Sequence, residues 1–334
     1  MFDLKRIRPL DAVITAVLVI VVALGGYLGF SVWNTQRSVR QATPASRTLE
    51  SLMAAVRKDP DNLALRVALA ESLAAVGKRS DAIRQYEQIL QKDKEHVPAI
   101  AGLGVVALGD GEFKMAEAYF RKVLDLTEGD STAAGSSNIE KAYFYLGTAV
   151  MEQKRYEEAA GYFKEALRYR RDNSSTHYLL AVCLREMGLD AAYSEALGNT
   201  LLFDPKHPEA NYDMGMVLLE EGDRAAAAEH FRTSADARPD VKLPLEALQK
   251  LGPFEDRVAA AKRLAKSDRG QAIVEARIAV ALDPRSAEAH VVLGDLYEAA
   301  ENKNKAREAY THALGIDANN DAAKAGLERV GDGS

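Results

Sequence analysis

Apolar, small and aromatic positions recur along most of this chain with a fixed period. From Leu63 to Asn320 the same arrangement returns every 34 residues. In each copy a large residue and Gly are followed by Ala-x-x-x-aromatic, and helical spacing places these positions on facing sides of two helices. Each copy therefore predicts a pair of packed antiparallel helices. The fullest copies contain Leu146-Gly147 with Ala159 and Phe163, Met214-Gly215 with Ala227 and Phe231, and Leu293-Gly294 with Ala306 and Tyr310.

Seven copies of the pattern can be placed without overlap. Gly at the fifteenth position of a copy permits the left-handed backbone that ends the first helix, and Asp-Pro near the end of a copy stops the second. The segment before the copies, 46–62, predicts a lone second helix, and 321–334 predicts a capping helix and tail, which a stack of repeats needs at its end. The copies are 63–96 and 97–130, then 140–173, 174–207 and 208–241, and finally 253–286 and 287–320.

Two segments interrupt the register of the copies, and either could be a hinge that divides the stack into blocks. The segment 131–139 is small and polar, which predicts a flexible loop. The segment 242–252 has Leu245, Leu248 and Leu251 at helical spacing, which predicts an extra turn or a short helix.

The 34-residue pattern resembles the tetratricopeptide repeat. The resemblance implies an all-α fold, a right-handed α-solenoid of about seven helix-turn-helix repeats with a C-terminal capping helix. It also implies that protein or peptide partners bind on the concave side, which the first helices line. The family's clamp for a terminal carboxylate uses Lys and Asn at first-helix positions. Here Val67, Phe144, Tyr178 and Tyr212 stand at those positions, so binding of an acidic chaperone tail is not expected.

Helical spacing selects the first-helix residues that packing within the repeat leaves open. We refer to these twelve residues as the first-helix surface. They include aromatic and Met side chains, which favour a partner with apolar anchors, while Glu152, Glu186 and Glu220 give one edge a negative charge that favours some positive charge on it. The alternative is that this face packs on the chain itself, for example on 242–252. The first-helix surface comprises Val67, Glu71, Val105, Phe144, Thr148, Met151, Tyr178, Val182, Arg185, Tyr212, Met216 and Leu219.

An uncharged run at the N-terminus, 12–33, predicts an uncleaved single transmembrane helix. As a helix it spans about 33 Å, against a bilayer core of roughly 30 Å. It lies between a basic segment, 1–11, and a polar tether, 34–45. Gly25 and Gly29 have the spacing of a membrane-helix dimer contact, although Gly is also common in membrane helices for other reasons. Basic residues flank both ends of the run, and the more compact N-terminal group favours repeats on the extracytoplasmic side of the cell membrane.

Charge and composition exclude several classes of function. The chain has a net charge of −6, and because 1–45 carries +3, the repeat region carries −9, which argues against binding to nucleic acid. The six His residues are dispersed, the single Cys183 occupies a helical core position, and no phosphate-loop or nucleophile motif is present. These observations predict that the protein is not an enzyme and uses no metal or other cofactor.

The sequence thus predicts a membrane-anchored scaffold or assembly factor that binds proteins through its first helices. By resemblance alone, such a protein would serve an envelope process such as cytochrome maturation, pilus or secretion assembly, or quality control. The alternative is a structural membrane protein that associates with itself, as a homodimer through its anchor, and has no separate partner.

Overall fold

The computed structural model describes residues 44–127 and 133–331, and these residues form seventeen helices and no strand. The all-α prediction is confirmed for this part of the chain. The helices belong to two compact units, Met1–Gly129 and Asp130–Ser334, and each unit is described by itself below.

Over residues 44–127, the first unit contains one single helix followed by two helix pairs. The single helix packs on the first helix of the following pair, where its Leu49 and Val56 join a core that also contains Leu69, Leu73 and Tyr86. The lone second helix predicted over 46–62 is therefore present, beginning two residues earlier. The helices are α1 (Pro44–Lys58), α2 (Leu63–Ala75), α3 (Arg79–Lys92), α4 (Val97–Gly109) and α5 (Phe113–Thr127).

The second unit contains five helix pairs, one short helix and a terminal helix that packs on the last pair. The pairs are α6 with α7, α8 with α9, α10 with α11, α13 with α14, and α15 with α16. In order, the helices are α6 (Ala133–Glu152), α7 (Tyr156–Tyr169), α8 (Ser174–Glu186), α9 (Asp190–Phe203), α10 (Pro208–Glu220), α11 (Arg224–Ala237), α12 (Leu243–Gln249), α13 (Phe254–Leu264), α14 (Arg269–Leu282), α15 (Ala287–Ala299), α16 (Lys303–Ile316) and α17 (Asp321–Val330).

Side-chain caps start most of the first helices and the terminal helix. The capping side chain accepts a hydrogen bond from the backbone N–H three residues later, which satisfies one of the free donors at a helix start. The imidazole Nδ1 of His207 does this for Ala210 at 3.3 Å, and the amide oxygen of Asn173 does it for Thr176 at 3.2 Å. The same role belongs to Asn62, His96, Ser286 and Asn320.

Close backbone approach explains the Gly and aromatic positions of the repeat. A Cβ atom at Gly215 would lie 2.6 Å from the ring of Phe231, and one at Gly294 would lie 2.6 Å from the ring of Tyr310. Both rings are fully buried. The backbone of the first helix therefore lies so close to its partner's ring that only a residue without a side chain fits there.

The turn between the two helices of a pair requires a left-handed residue. Gly77 and Gly222 supply it with φ angles of 78° and 91°. At the equivalent position of two other repeats the chain has Lys154, with φ 62°, and Glu301, with φ 59°. These two residues adopt a backbone conformation that side chains with a Cβ atom disfavour.

Replacing Lys154 or Glu301 with Gly should stabilise the second unit. The substitution removes the steric cost of the left-handed conformation, which exceeds the added entropy of Gly in the unfolded chain, so we expect a gain of about 0.5–1 kcal/mol at each site. Thermal unfolding followed by circular dichroism would measure it. The matched control is Lys303→Gly, at the exposed start of a helix, which should lower stability. A loss of stability at Lys154 or Glu301 would contradict the argument.

Composition predicted a flexible loop over 131–139, but the described part of that segment, from Ala133 on, is helical. Helix α6 begins at Ala133 and is continuous to Glu152. Ala has the highest helix propensity, and Ile139 gains stability by burial, so Ser and Gly in this segment do not prevent helix formation. Glu140 is also buried, and it accepts a hydrogen bond from the side-chain amide of Asn173 at 3.0 Å.

The segment 242–252 forms the short helix α12, as predicted, and it changes how the repeats stack. Leu248 and Leu251 are buried in a core with Phe231 and Ile278, whereas Leu245 is exposed. Elsewhere in the unit a second helix packs on the first helix of the next repeat, as α7 does on α8. After α12, however, α11 packs on α14, so that two second helices meet directly.

Polar contacts hold this α11–α14 joint together. The guanidinium of Arg232 donates to the carbonyl oxygens of Ala281 at 2.6 Å and Leu282 at 2.7 Å, at the C-terminal end of α14 where free acceptors collect. Arg277 on α14 forms a bidentate pair with Glu229 on α11, at 2.7 and 2.9 Å. Charge-assisted bonds of this geometry fix orientation as well as contact.

A buried carboxylate connects the same joint to α13. Glu275 is 5% exposed and accepts from the guanidinium of Arg257 at 2.7 Å and from the side chain of Gln271 at 3.0 Å. The guanidinium of Arg224 lies 3.6 Å from Oε1 of Glu275, the oxygen that also accepts from Gln271. Arg224 donates to the carbonyl of Leu251 at 3.3 Å. The network thus joins α11, α13 and α14 with the turn that follows α12.

Within residues 44–127 and 133–331, no helix is long and apolar enough to cross a bilayer. The predicted anchor 12–33, with Gly25 and Gly29, and the tether through residue 43 lie outside the described residues.

Candidate partner-binding surface

The first-helix surface is mostly half-buried. Three of its residues, Glu71, Val105 and Arg185, are exposed, and the other nine are partly covered by the chain itself. Val67, Glu71 and Val105 lie in the first unit and the remaining nine lie in the second.

Intramolecular contacts account for much of this covering. The ring of Phe144 lies 6.2 Å from that of Phe163, and the ring of Tyr212 lies 5.7 Å from that of Phe231. Tyr212, Met216 and Leu219 pack on the core cluster that contains Leu248 and Leu251. The alternative that this face packs on the chain itself, for example on 242–252, therefore holds for part of α10.

Two residues of the first-helix surface, Tyr178 and Tyr212, line a cavity of about 260 Å³. One wall comes from α8 and α10 and another from the C-terminal end of α11, and the segment leading into α12 closes the third side. The lining is mainly apolar, with few polar groups, which is typical of sites that hold an apolar group in a defined orientation. The lining residues are Tyr178, Pro208, Glu209, Tyr212, Asp213, Ser234, Arg238, Val241, Leu243 and Pro244.

A buried carboxylate, Asp213, lies at the base of this cavity. It accepts from the hydroxyl of Tyr178 at 3.2 Å and from the guanidinium of Arg185 at 3.3 Å. Burial raises the pKa of Asp213 above its usual value, and Arg185 and the hydrogen bond from Tyr178 oppose that shift. Burial, followed by the charge of Asp213, raises the pKa of the Tyr193 hydroxyl to about 12.

Charged side chains line the cavity, and some of them have closer partners of opposite charge than others. Arg238 forms a bidentate pair with Asp240 at 3.0 and 2.9 Å, and it lies 3.7 Å from Glu209. Glu209 has a half-exposed side chain and its other near neighbour is the imidazole of His207 at 3.4 Å. Leu243, which also lines the cavity, is 50% exposed. The exposed lining residues of the cavity therefore include a carboxylate and an apolar side chain.

Several cavity residues were not among the predicted site residues. Asp213 stands at the sixth position of its repeat, and an acidic residue there is the signal that could have singled it out, because four other copies have an apolar residue at that position, namely Ala68, Leu179, Val258 and Val292. Leu243 and Pro244 belong to the interruption rather than to a repeat, so the repeat register could not assign them a surface.

The described residues contain no group of three or more His, Cys, Asp or Glu side chains that could hold a metal ion. Cys183 is fully buried, and burial raises the pKa of its thiol to about 12, which disfavours the reactive thiolate. Asn173 begins a formal glycosylation sequon, but its side chain caps α8 and donates to Glu140. Those two hydrogen bonds account for Asn173 as a structural residue.

The α10–α11 pair that carries Tyr212 should lose stability in mild acid. His230 bonds the side-chain oxygen of Asn211 at 2.8 Å, and burial lowers the pKa of His230 in the folded chain. Because the pKa of His230 is lower in the folded chain than the value of about 6.5 in the unfolded chain, the folded chain keeps its full stability above pH 6.5. Stability is lost as the pH falls below that value, since the unfolded chain then binds the proton more readily. Unfolding at pH 7.5 and 5.5 should show a smaller acid loss for His230→Asn than for wild type. His177→Asn serves as the control, because the ring of His177 lies over Phe203 rather than over another histidine, and equal losses in all three proteins would contradict the prediction.

Repeated pairs of antiparallel helices with an internal sequence period define an α-helical repeat protein. Family models described as tetratricopeptide repeat match residues 42–98, 140–173, 190–241 and 287–320. The chain belongs to the tetratricopeptide-repeat family.

Curated relatives match part of the chain. BBSome complex member BBS4 of Bos taurus is 24% identical over 169 residues, which is 51% of this chain and 31% of the relative. TPR repeat-containing protein YpiA of Bacillus subtilis is 30% identical over 155 residues, or 46% of this chain and 34% of the relative. The matched regions thus span about a third of the length of these relatives. The solved structure of YrrB, described as a TPR protein with an unusual peptide-binding site, is 22% identical, with a TM-score of 0.45 over 60% of this chain and 98% of YrrB.

Proposed function

We propose that this protein is a scaffold, rather than an enzyme, that binds a protein or peptide partner through the first-helix surface of its second unit. The observation that carries the proposal is the cavity of about 260 Å³ at Tyr178 and Tyr212. Both residues belong to the surface that the repeat register selects for partner binding. Tetratricopeptide-repeat proteins generally bind protein or peptide partners, which supports the same assignment.

We further propose that 12–33 anchors the chain in a membrane, with the repeats on the extracytoplasmic side and an envelope process as the setting. The uncharged run and the basic residues before it support the anchor. Cys183 is the single cysteine and is buried, so a second cysteine at Asp321, whose side chain is 99% exposed, would be the one reactive thiol among the described residues. An impermeant maleimide should label Asp321→Cys in intact cells. Labelling that requires permeabilised cells would contradict the orientation.

Partner binding can be tested by photocrosslinking in intact cells. A photoreactive amino acid at Leu243, at the cavity rim, should capture a partner that the same amino acid at Leu245 does not. Leu245 is the matched control, because it lies on the same short helix with 42% exposure but does not line the cavity. Tyr178→Ala should reduce capture at Leu243. Alanine at Phe144 or Tyr212 is avoided, because each ring also packs on a buried Phe.

The capture experiment also separates the scaffold from the self-associating alternative. Capture of the chain itself alone, weakened by Gly25→Leu and unchanged by Tyr178→Ala, would replace the scaffold proposal with a homodimer held through Gly25 and Gly29. A separate protein captured at Leu243 and lost with Tyr178→Ala would support the scaffold.

A further inference from the structure

The cavity at Tyr178 and Tyr212 is not a feature that regular repeats supply. In an uninterrupted stack the next first helix would follow α11, but here the chain instead enters α12 and the first helix α13 comes later. Val241, which precedes α12, and Leu243 and Pro244, which begin it, therefore form a wall that belongs to this chain's interruption. The chemistry of that wall is apolar.

The charges around the cavity leave one carboxylate available to a partner. Asp213 is paired with Arg185. Arg238 forms its closer ion pair with Asp240 and lies farther from Glu209. Among the described residues, Glu209 has no donor at hydrogen-bond distance, because the nearby Nδ1 of His207, at 3.4 Å, already accepts from the N–H of Ala210. The contact of Glu209 with Arg238 is 3.7 Å, beyond hydrogen-bond distance.

Burial is the main cause of a raised pKa at both tyrosines of the cavity, and nearby carboxylates add to it. Burial raises the pKa of Tyr212, and the charges of Asp213 and Glu246 raise it further. Burial also raises the pKa of Tyr178, with Asp213 as the next cause. Because nearby anions disfavour a phenolate, they favour a cation placed at the same point. The apolar lining therefore favours an apolar side chain, and the carboxylates favour a cation beside it.

We propose that the cavity binds a bulky apolar side chain of a partner peptide, with a neighbouring Lys or Arg of that peptide paired to Glu209. This inference rests on the proposed function and gives the partner's chemistry at that site. The apolar side chain lies between the rings of Tyr178 and Tyr212 and the wall formed by Val241 and Leu243. The cation replaces the long contact that Glu209 makes with Arg238.

Binding of immobilised short peptides to the full chain in detergent tests the proposal. Each peptide contains Leu, Phe or Tyr followed by Lys, Gln or Glu in a Gly-Ser background. We expect wild type to retain the Lys peptides at least tenfold better than the Glu peptides. Glu209→Lys should reverse that preference, and Leu243→Asp should abolish retention.

Two control variants separate this site from the surrounding acidic edge. Glu220→Lys changes the same charge on the same helix but at a residue that does not line the cavity, and it should keep the preference for Lys peptides. Leu245→Asp should keep retention. Circular dichroism confirms that each variant is folded, so that lost retention reports the site rather than unfolding.

The outcomes are distinguishable. Peptides that bind with no preference for Lys, or with a preference that Glu209→Lys does not change, would overturn this inference and leave the proposed function standing. Equal loss in Glu209→Lys and Glu220→Lys would overturn it as well, because the whole acidic edge would then be responsible. No retained peptide together with no crosslink from Leu243 in cells would overturn both proposals.

Discussion

Glu275→Ala is expected to destabilise the second unit more than any other single substitution proposed for this protein. The change leaves the guanidinium of Arg257, which is 20% exposed, and that of Arg224 without the carboxylate between them. Removing one member of a buried ion pair typically costs about 3–5 kcal/mol, since an uncompensated charge remains. Amide hydrogen exchange read by mass spectrometry should show protection in α13 and α14 falling by about a hundredfold, which corresponds to roughly 3 kcal/mol.

The control for this prediction lies at the same joint. Glu229→Ala removes the partner of Arg277, but the Glu229 side chain is 52% exposed, so water can replace the pair and the cost should stay below about 1 kcal/mol. If Glu275→Ala and Glu229→Ala lose similar protection, burial is not what makes the Glu275 network important. Glu275→Gln should fall between wild type and Glu275→Ala, because the amide keeps one acceptor for Arg257.

The second large effect is expected from a single methyl group at Gly215. In Gly215→Ala the new Cβ would lie 2.6 Å from the Phe231 ring and 3.2 Å from the carbonyl oxygen of Ala227. Phe231 is fully buried and cannot move without disturbing Tyr212. Overpacking of this kind costs about 1–3 kcal/mol, partly offset by the higher helix propensity of Ala. The midpoint of thermal unfolding should fall by about 2–6 °C.

The same substitution at Gly161 should have the opposite sign. Gly161 is exposed within α7, and no atom outside its own turn lies within 4 Å of the position its Cβ would take. Gly161→Ala should therefore stabilise the chain by about 0.5–1 kcal/mol through helix propensity alone. A lower midpoint at Gly161, or an unchanged one at Gly215, would refute the close-packing explanation of the repeat's Gly.

The repeat period predicted the helix pairs because each of its residue types has one local cause. Gly215 meets Phe231 and Gly222 adopts φ 91° for reasons that lie within a single copy. Composition was a poorer guide at 131–139, where Ser and Gly suggested a loop but helix formation depends on neighbours such as the buried Ile139. A weak local preference yields to tertiary packing.

The cavity could be predicted only in part. Helical spacing selected Tyr178 and Tyr212, since both stand at the same position of adjacent repeats. It could not select Leu243 or Arg238, because their proximity depends on where the chain goes after α11. The periodicity also could not indicate that α11 would meet α14, as nothing in a 34-residue copy describes contact with a helix more than one element away.

The direct contact between α11 and α14 limits how far the repeats can be treated as interchangeable parts. Between α6 and α11 each second helix meets the first helix of the next copy, so a 34-residue module could be removed or duplicated there with like surfaces rejoining. At α12 the chain would not tolerate such an exchange. Ile278 of α14 covers Phe231 and Leu248, and a chain ended after α12 would leave that cluster open to water. The α13–α14 pair therefore covers this cluster through Ile278, and we expect a chain ended after α12 to be less stable than one from which an earlier repeat has been removed.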